Sequence, residues 1–143
     1  MGGQGRNRLW GDRVRAAKIR VDHARAQATE AIRQADAAAC QLWSDTMEGF
    51  GGPAQPSPTI DQCLNSGYGF LEVQCKRCRN RVSIPLEYVR RRRDTPIWKL
   101  ESAFRCRSCA SPRYSPPVQL VKLTKQREIA LAPWYGPGED ERG

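Results

Sequence analysis

Two Cys-x-x-Cys pairs, Cys75-Lys76-Arg77-Cys78 and Cys106-Arg107-Ser108-Cys109, constrain this chain more than any other feature. Twenty-seven residues separate them. Two residues between cysteines let the backbone turn tightly and aim both sulfurs at one point. Two such turns supply four soft ligands in a tetrahedron, which suits Zn²⁺. The spacing therefore predicts one structural zinc ion held by Cys75, Cys78, Cys106 and Cys109. A closed four-thiolate shell leaves no open coordination position for a reacting group. His23 is the only histidine, so no second imidazole can act as a base. No Ser-His-Asp set, phosphate loop or paired carboxylates of recognisable spacing is present. The chain is accordingly expected to be no enzyme and to take no small-molecule substrate. Cys40 and Cys63 have no cysteine within a ligand turn, and both read as packing residues.

Charge is concentrated around the same stretch. Between Cys75 and Arg113 there are 12 basic and three acidic residues, a net of +9, and the remainder of the chain balances to zero. Four thiolates and one Zn²⁺ would remove two charges, leaving the ribbon near +7. The candidate nucleic-acid-binding residues are Lys76, Arg77, Arg90, Arg91, Arg92, Arg93, Arg105, Arg107 and Arg113. Tyr88, Trp98, Phe104 and Tyr114 are interleaved with them, so phosphate neutralisation and base stacking are both available.

The fold class expected is small α+β: a long N-terminal α-helix able to form a coiled coil, then a four-cysteine zinc-ribbon-like domain with short strands and two short helices. Residues 1–8 are Gly-rich and read as a disordered basic lead-in. From about Leu9 to Met47, small and apolar residues fall at Trp10, Val14, Ala17, Val21, Ala24, Ala28, Ala31, Ala35, Ala38 and Leu42, an unbroken heptad seam. Alanine favours the helix but buries little area, so the seam is thin. Three readings stay open for it: a solvated helix or weak coiled coil, a specific dimerisation or docking helix over residues 9–47, and a basic helix that reads nucleic acid.

The domains expected are 1–48 for this helix, 49–58 for a Gly/Pro linker, 59–131 for the ribbon and 132–143 for a loose tail. On that division the ribbon folds without residues 1–50. Thr59 and Gln62 fit a capping box opening a short helix that carries Cys63. Phe70–Gln74, Arg81–Ile84 and Val118–Leu123 read as strands. Pro85 and Thr95-Pro96 mark two further helix starts, with Leu86, Val89, Ile97, Leu100 and Phe104 turned inward. Glycine often follows the second cysteine of a knuckle. Arg79 and Ala110 stand there instead, and Asn80 is the expected carrier of any left-handed conformation.

Several stretches resemble small zinc-ribbon-like proteins of alphaproteobacteria, rhizobial relatives especially. They are Thr59-Ile60-Asp61-Gln62-Cys63-Leu64-Asn65, Leu71-Glu72-Val73-Gln74-Cys75, Asp94-Thr95-Pro96-Ile97-Trp98-Lys99-Leu100-Glu101, Cys106-Arg107-Ser108-Cys109 and Arg113-Tyr114-Ser115-Pro116-Pro117-Val118. The resemblance covers about half the chain, from Thr59 to about Ile129. It implies zinc at the four cysteines and a bacterial cytoplasmic setting, and nothing about substrate. A cytoplasmic location also follows from the lack of an apolar run after Met1 and from thiolates spaced for metal. No segment is apolar enough for a membrane span. Two functions compete: a basic zinc module that binds DNA or RNA, and a protein-interaction adaptor with a purely structural zinc site. A thiol redox role is a third.

Overall fold

The computed structural model describes residues 2–129, with side chains from residue 5 onward. The tail expected over 132–143 lies outside the described residues. A single long helix, α1 (Gly2–Phe50), opens the chain. It begins inside the stretch expected to be a disordered lead-in. Gly2, Gly3 and Gly5 each cost about 1 kcal/mol in a helix relative to alanine, but no proline occurs before Pro53 to block the hydrogen-bond ladder.

The chain divides into two compact units, Met1–Gln34 and Ala35–Gly143. The division falls within α1, not at the Gly/Pro stretch 49–58. The reason is the face that α1 uses after residue 35. Cys40, Trp43 and Met47 are buried in the hydrophobic core of the second unit, and Ser44 is buried beside them. Their spacing of three, one and three residues is one helix face. It is not the face of the alanine seam, whose Leu42 stays 69% exposed. The Gly/Pro stretch then turns back onto the helix. Gly51 N donates to Met47 O at 2.9 Å, and Trp43 Nε1 donates to Ala54 O at 3.0 Å. A Cβ at Gly52 would overlap Met47 Sδ and the backbone nitrogen of Ala54, so only glycine fits this return.

Helix α2 (Ile60–Asn65) starts as the residues foretell. Gln62 N donates to Thr59 Oγ1 at 3.2 Å, and Thr59 N donates to Gln62 Oε1 at 2.9 Å, a complete capping box. Gly67, at φ +87°, turns the chain into the sheet.

The sheet has three antiparallel strands, β1 (Phe70–Cys75), β2 (Arg81–Pro85) and β3 (Val118–Thr124), in the order β2-β1-β3. All three lie within a residue of the expected spans. β1 pairs Leu71 with Ile84 on one side and with Leu123 on the other. A bulge between Glu72 and Val73 shifts the β1–β3 register by one, so that Glu72 faces Lys122 and Val73 faces Leu120. The central strand is buried on both faces, Glu72 included, whose carboxylate accepts from Arg81 Nη1 at 3.0 Å. An ion pair of this kind offsets the cost of a buried carboxylate.

The core joins Leu71, Val73, Val82, Ile84 and Leu120 of the sheet to Ile60, Cys63, Leu86, Ile97, Leu100 and the buried face of α1. Polar tethers run between the same elements. Leu123 N donates to Ser44 Oγ at 3.0 Å, and Tyr68 OH donates to Gln41 Oε1 at 3.0 Å.

The two short helices expected at Pro85 and Pro96 are 3₁₀ turns, Leu86–Tyr88 and Ile97–Ala103. Each proline sits one position earlier than expected, as an extended N-cap. At Pro96 the backbone is held open by pairing: Ile60 N donates to Thr95 O at 3.0 Å and Ile97 N to Pro58 O at 2.8 Å. Thr95 thus contributes its carbonyl rather than a side-chain cap. Leu86, Val89, Ile97, Leu100 and Phe104 are buried, as their spacing predicts.

Candidate metal centre

The sheet brings the two Cys-x-x-Cys turns to one end. Cys75 is the last residue of β1 and Cys78 lies in the hairpin turn before β2. Cys106 and Cys109 lie between the second 3₁₀ turn and β3, and β3 opens with Val118 in register against Cys75. Lys76 N donates to Pro117 O at 3.1 Å, which ties the first turn to the segment arriving from the second.

Each turn is closed by its own backbone. Arg79 N donates to Cys75 O at 3.0 Å and Ala110 N to Cys106 O at 2.9 Å. Arg77 N points at Cys75 Sγ from 3.4 Å. In the first turn Arg79, not Asn80, takes the left-handed conformation, at φ 66°. The backbone needs positive φ at the residue directly after the second cysteine, and an arginine there carries strain that glycine would not.

The four Sγ atoms lie within 4.8 Å of one another, with Cys78 and Cys106 at 3.5 Å. Four sulfurs about 2.3 Å from one tetrahedral Zn²⁺ would be about 3.8 Å apart. The donor set and its spread therefore fit one metal ion, and zinc suits four thiolates best. Cys75 and Cys106 are buried and Cys78 is exposed, so the site has a closed side and an open one. Burial pushes the Cys78 thiol up, but the backbone at Asn80 and the thiols of Cys106, Cys109 and Cys75 outweigh it and bring it to about 7. Burial, then Cys78, pushes Cys106 up to about 12. Burial, then Cys78 and Cys75, also raises Cys109, against a lowering contact from Cys106. One thiolate is thus ready near neutrality, and a metal would draw protons from its neighbours.

Cys40 and Cys63 are fully buried and take no part in this group. Their sulfurs lie 3.7 Å apart, joining α1 to α2, and Cys40 Sγ is 3.6 Å from Ser66 Oγ. Contact with Cys40, then burial, drives the Cys63 thiol far above its ordinary value. The pair packs the core, as the sequence suggested for each residue alone. Their 23-residue separation offered no sign that they would meet.

The basic residues divide into two sets. Lys76, Arg77 and Arg79 ring the first metal turn and Arg105 and Arg107 flank the second; all five are exposed. The cysteine group draws these two runs together although 25 residues of chain separate Arg79 from Arg105. Arg113 is exposed in the turn that follows, closed by Ser111 and Tyr114. Arg90 to Arg93 lie instead in the loop between the 3₁₀ turns, beside α2. Arg91, Arg92 and Arg93 each have partners, and Arg91 Nη1 donates to Arg90 O at 3.4 Å. Arg93 donates from Nη1 to Leu86 O at 3.2 Å and from Nη2 to Glu87 O at 3.1 Å, and its own carbonyl accepts from Asp61 N. Arg92 pairs with Asp94 through both guanidinium contacts, at 3.0 and 3.1 Å. Of the aromatics, Tyr88 and Tyr114 are 63% and 55% exposed, Phe104 is in the core, and Trp98 is half-buried with Lys99 over its ring.

No protein-family model, curated protein or solved structure matches this chain. The likeness to the alphaproteobacterial ribbon-like proteins therefore rests on short motifs, of which the structure bears out the four-cysteine core. No helix among the described residues is long and apolar enough to cross a membrane.

Proposed function

We propose that the chain is a nucleic-acid-binding module whose head is built on one structural zinc ion. The observation that carries this reading is the convergence of two basic runs on one metal group. Lys76, Arg77, Arg79, Arg105 and Arg107 place five cations around a zinc core of four thiolates that would carry only two negative charges. A rigid tip of this kind suits phosphate oxygens at fixed separation, and the exposed ring of Tyr114 offers a stacking platform nearby in the chain. Zinc has no chemical step in this reading: it supplies rigidity and folding free energy.

The test is fluorescence anisotropy of the zinc-loaded protein with short single- and double-stranded DNA and RNA. Micromolar or tighter binding that persists at about 150 mM salt, is lost on chelation, and weakens in the combined Lys76→Gln, Arg77→Gln, Arg105→Gln variant is the expected result. Binding seen only at low salt and indifferent to chelation would be plain polycation behaviour and would overturn the reading.

A further inference from the structure

The arm formed by residues 5–34 of α1 has no buried residue among those described. Leu9, Trp10, Val14 and Val21 are exposed apolar side chains, Val14 by 62%. Trp10, Val14, Ala17, Val21 and Ala24 recur at alternating steps of four and three residues and form one stripe along this part of the arm. Beyond that stripe, the informative feature is the sorting of charge beside it. Residues 1–34 hold eight basic and three acidic side chains, a net of +5.

With the stripe at the a and d positions of a heptad, Arg6, Arg13 and Arg20 occupy successive g positions, and Lys18 and Arg25 occupy e positions. The acidic residues Asp12, Asp22 and Glu30 all fall at b, c or f, away from the stripe. Two of those three are already engaged. Arg15 pairs with Asp12 and Arg33 with Glu30 on the outer faces. None of the five flanking cations pairs with a carboxylate among the described residues; Arg13 instead lies over the Trp10 ring, 5.0 Å from its centroid.

This sorting decides between partners. In a parallel pair of identical arms, g of one helix meets e of the next heptad on the other. Arg13 would then face Lys18, and Arg20 would face Arg25, each twice. In an antiparallel pair, g meets g and e meets e, so the cations again meet cations or the uncharged Gly11, Gln27 and Ile32, and never a carboxylate. Repulsion at the charged edge positions, with no attractive pair at any of them, is a device against the wrong partner, here a second copy of the chain. An anionic membrane would accept the cations, but alanines at 17, 24, 28 and 31 bury too little area for an interfacial helix. Nucleic acid would accept them as well, but has no use for an apolar stripe running between two cationic edges.

We infer that the arm is a docking helix for another protein, and that its partner is an amphipathic helix with acidic e and g positions and large apolar side chains that fill the layers left open by Ala17 and Ala24. This inference does not depend on nucleic-acid binding by the head.

The test uses the full zinc-loaded chain and labelled synthetic helical peptides of about four heptads, with leucine at a and d and either glutamate or lysine at e and g. The expected result is binding of the Glu-flanked peptide at about 150 mM salt, at least tenfold tighter than the Lys-flanked one. Combined Arg13→Glu, Lys18→Glu, Arg20→Glu and Arg25→Glu should reverse that preference, while Val14→Asn with Val21→Asn should weaken binding to either peptide. Circular dichroism and zinc content show that each variant keeps its helix and its head. Four outcomes would overturn the inference. They are equal binding of the two peptides, a dimer in sedimentation equilibrium that the Val14 and Val21 changes dissociate, binding to phosphatidylglycerol vesicles that depends on those valines, and binding to a DNA duplex that depends on the four cations but not on the valines.

Discussion

The two compact units keep their shape by opposite means. In Ala35–Gly143 the structure is non-local: α1 residues near 43 meet β3 residues near 123, and the thiols of 75 and 78 meet those of 106 and 109. In Met1–Gln34 every described tie is within the helix itself, such as the pairs of Asp12 with Arg15 and of Glu30 with Arg33. The head is held by burial and by a four-cysteine group able to hold a metal, the arm by backbone propensity and local ion pairs. The comparison shows how one helix can serve both modes. Its last turns, from Cys40 to Met47, are core, while its first thirty or so residues are surface. Charge follows the same divide. In the head the cations gather at turns brought together by tertiary structure, and in the arm they are sorted by the helical repeat.

The sharpest way to break this comparison is to remove what the head alone depends on. Cys75→Ser or Cys106→Ser should abolish zinc retention and unfold the head, since a structural Zn²⁺ site contributes on the order of 10 kcal/mol. Zinc content and tryptophan fluorescence would report both losses, and helix content in the arm should persist in part. Cys63→Ser, by contrast, should keep the metal; loss of zinc there would mean that the ligand set is misassigned.

The boundary between the units can be tested next. Removing residues 1–34 should leave a zinc-loaded head with a nearly unchanged melting transition. Removing residues 1–50 should unfold it, because Cys40, Trp43, Ser44 and Met47 go with them. Trp43→Ala alone should cost about 3–5 kcal/mol in chemical denaturation. A stable 51–143 fragment would show that the buried face of α1 is dispensable.

This boundary is also where the sequence was hardest to read. The capping box at Thr59 and Gln62, the three strands and the paired cysteines were legible because each is a local pattern with a local cause. The docking face of α1 was not. Alanines at heptad spacing drew attention to a seam that stays open, while the buried face at Cys40, Trp43 and Met47 covers only two turns. Which face is buried is decided by Leu123, Tyr68 and Cys63, far away in sequence. Arg93 teaches the same lesson. Its place in a run of four arginines suggested a surface cation, yet two carbonyls seven and six residues earlier hold its guanidinium. The charge of the arm, however, was open to reading. Summing everything outside the ribbon to zero hid a +5 arm behind acidic residues such as Asp36, Asp45, Glu48, Asp61 and Glu72.

Smaller effects sharpen the account of the basic loop. Arg93→Gln should destabilise the head by about 1–2 kcal/mol through its lost carbonyl contacts, whereas Arg90→Gln should stay within about 0.5 kcal/mol. Equal effects in thermal unfolding would remove the distinction between the structural and the surface arginines.

A modest pH effect is expected at the metal turns. Cys78 is a thiolate above its value of about 7 and takes up a proton below it. Zinc must then displace that proton too, so apparent zinc affinity should fall more steeply with each unit of pH below 7 than above it. Competition with a chromophoric chelator between about pH 6 and 8 measures this, and an equal slope on both sides would speak against a depressed Cys78.

X-ray absorption at the zinc edge of the purified full chain, with elemental analysis alongside it, reads the ligand shell of the four cysteines itself. One zinc per chain is expected, with four sulfur ligands at about 2.3 Å and no nitrogen or oxygen ligand. Absence of zinc from protein purified without chelators, or a mixed shell containing nitrogen or oxygen, would contradict a closed four-thiolate site as the centre of the head.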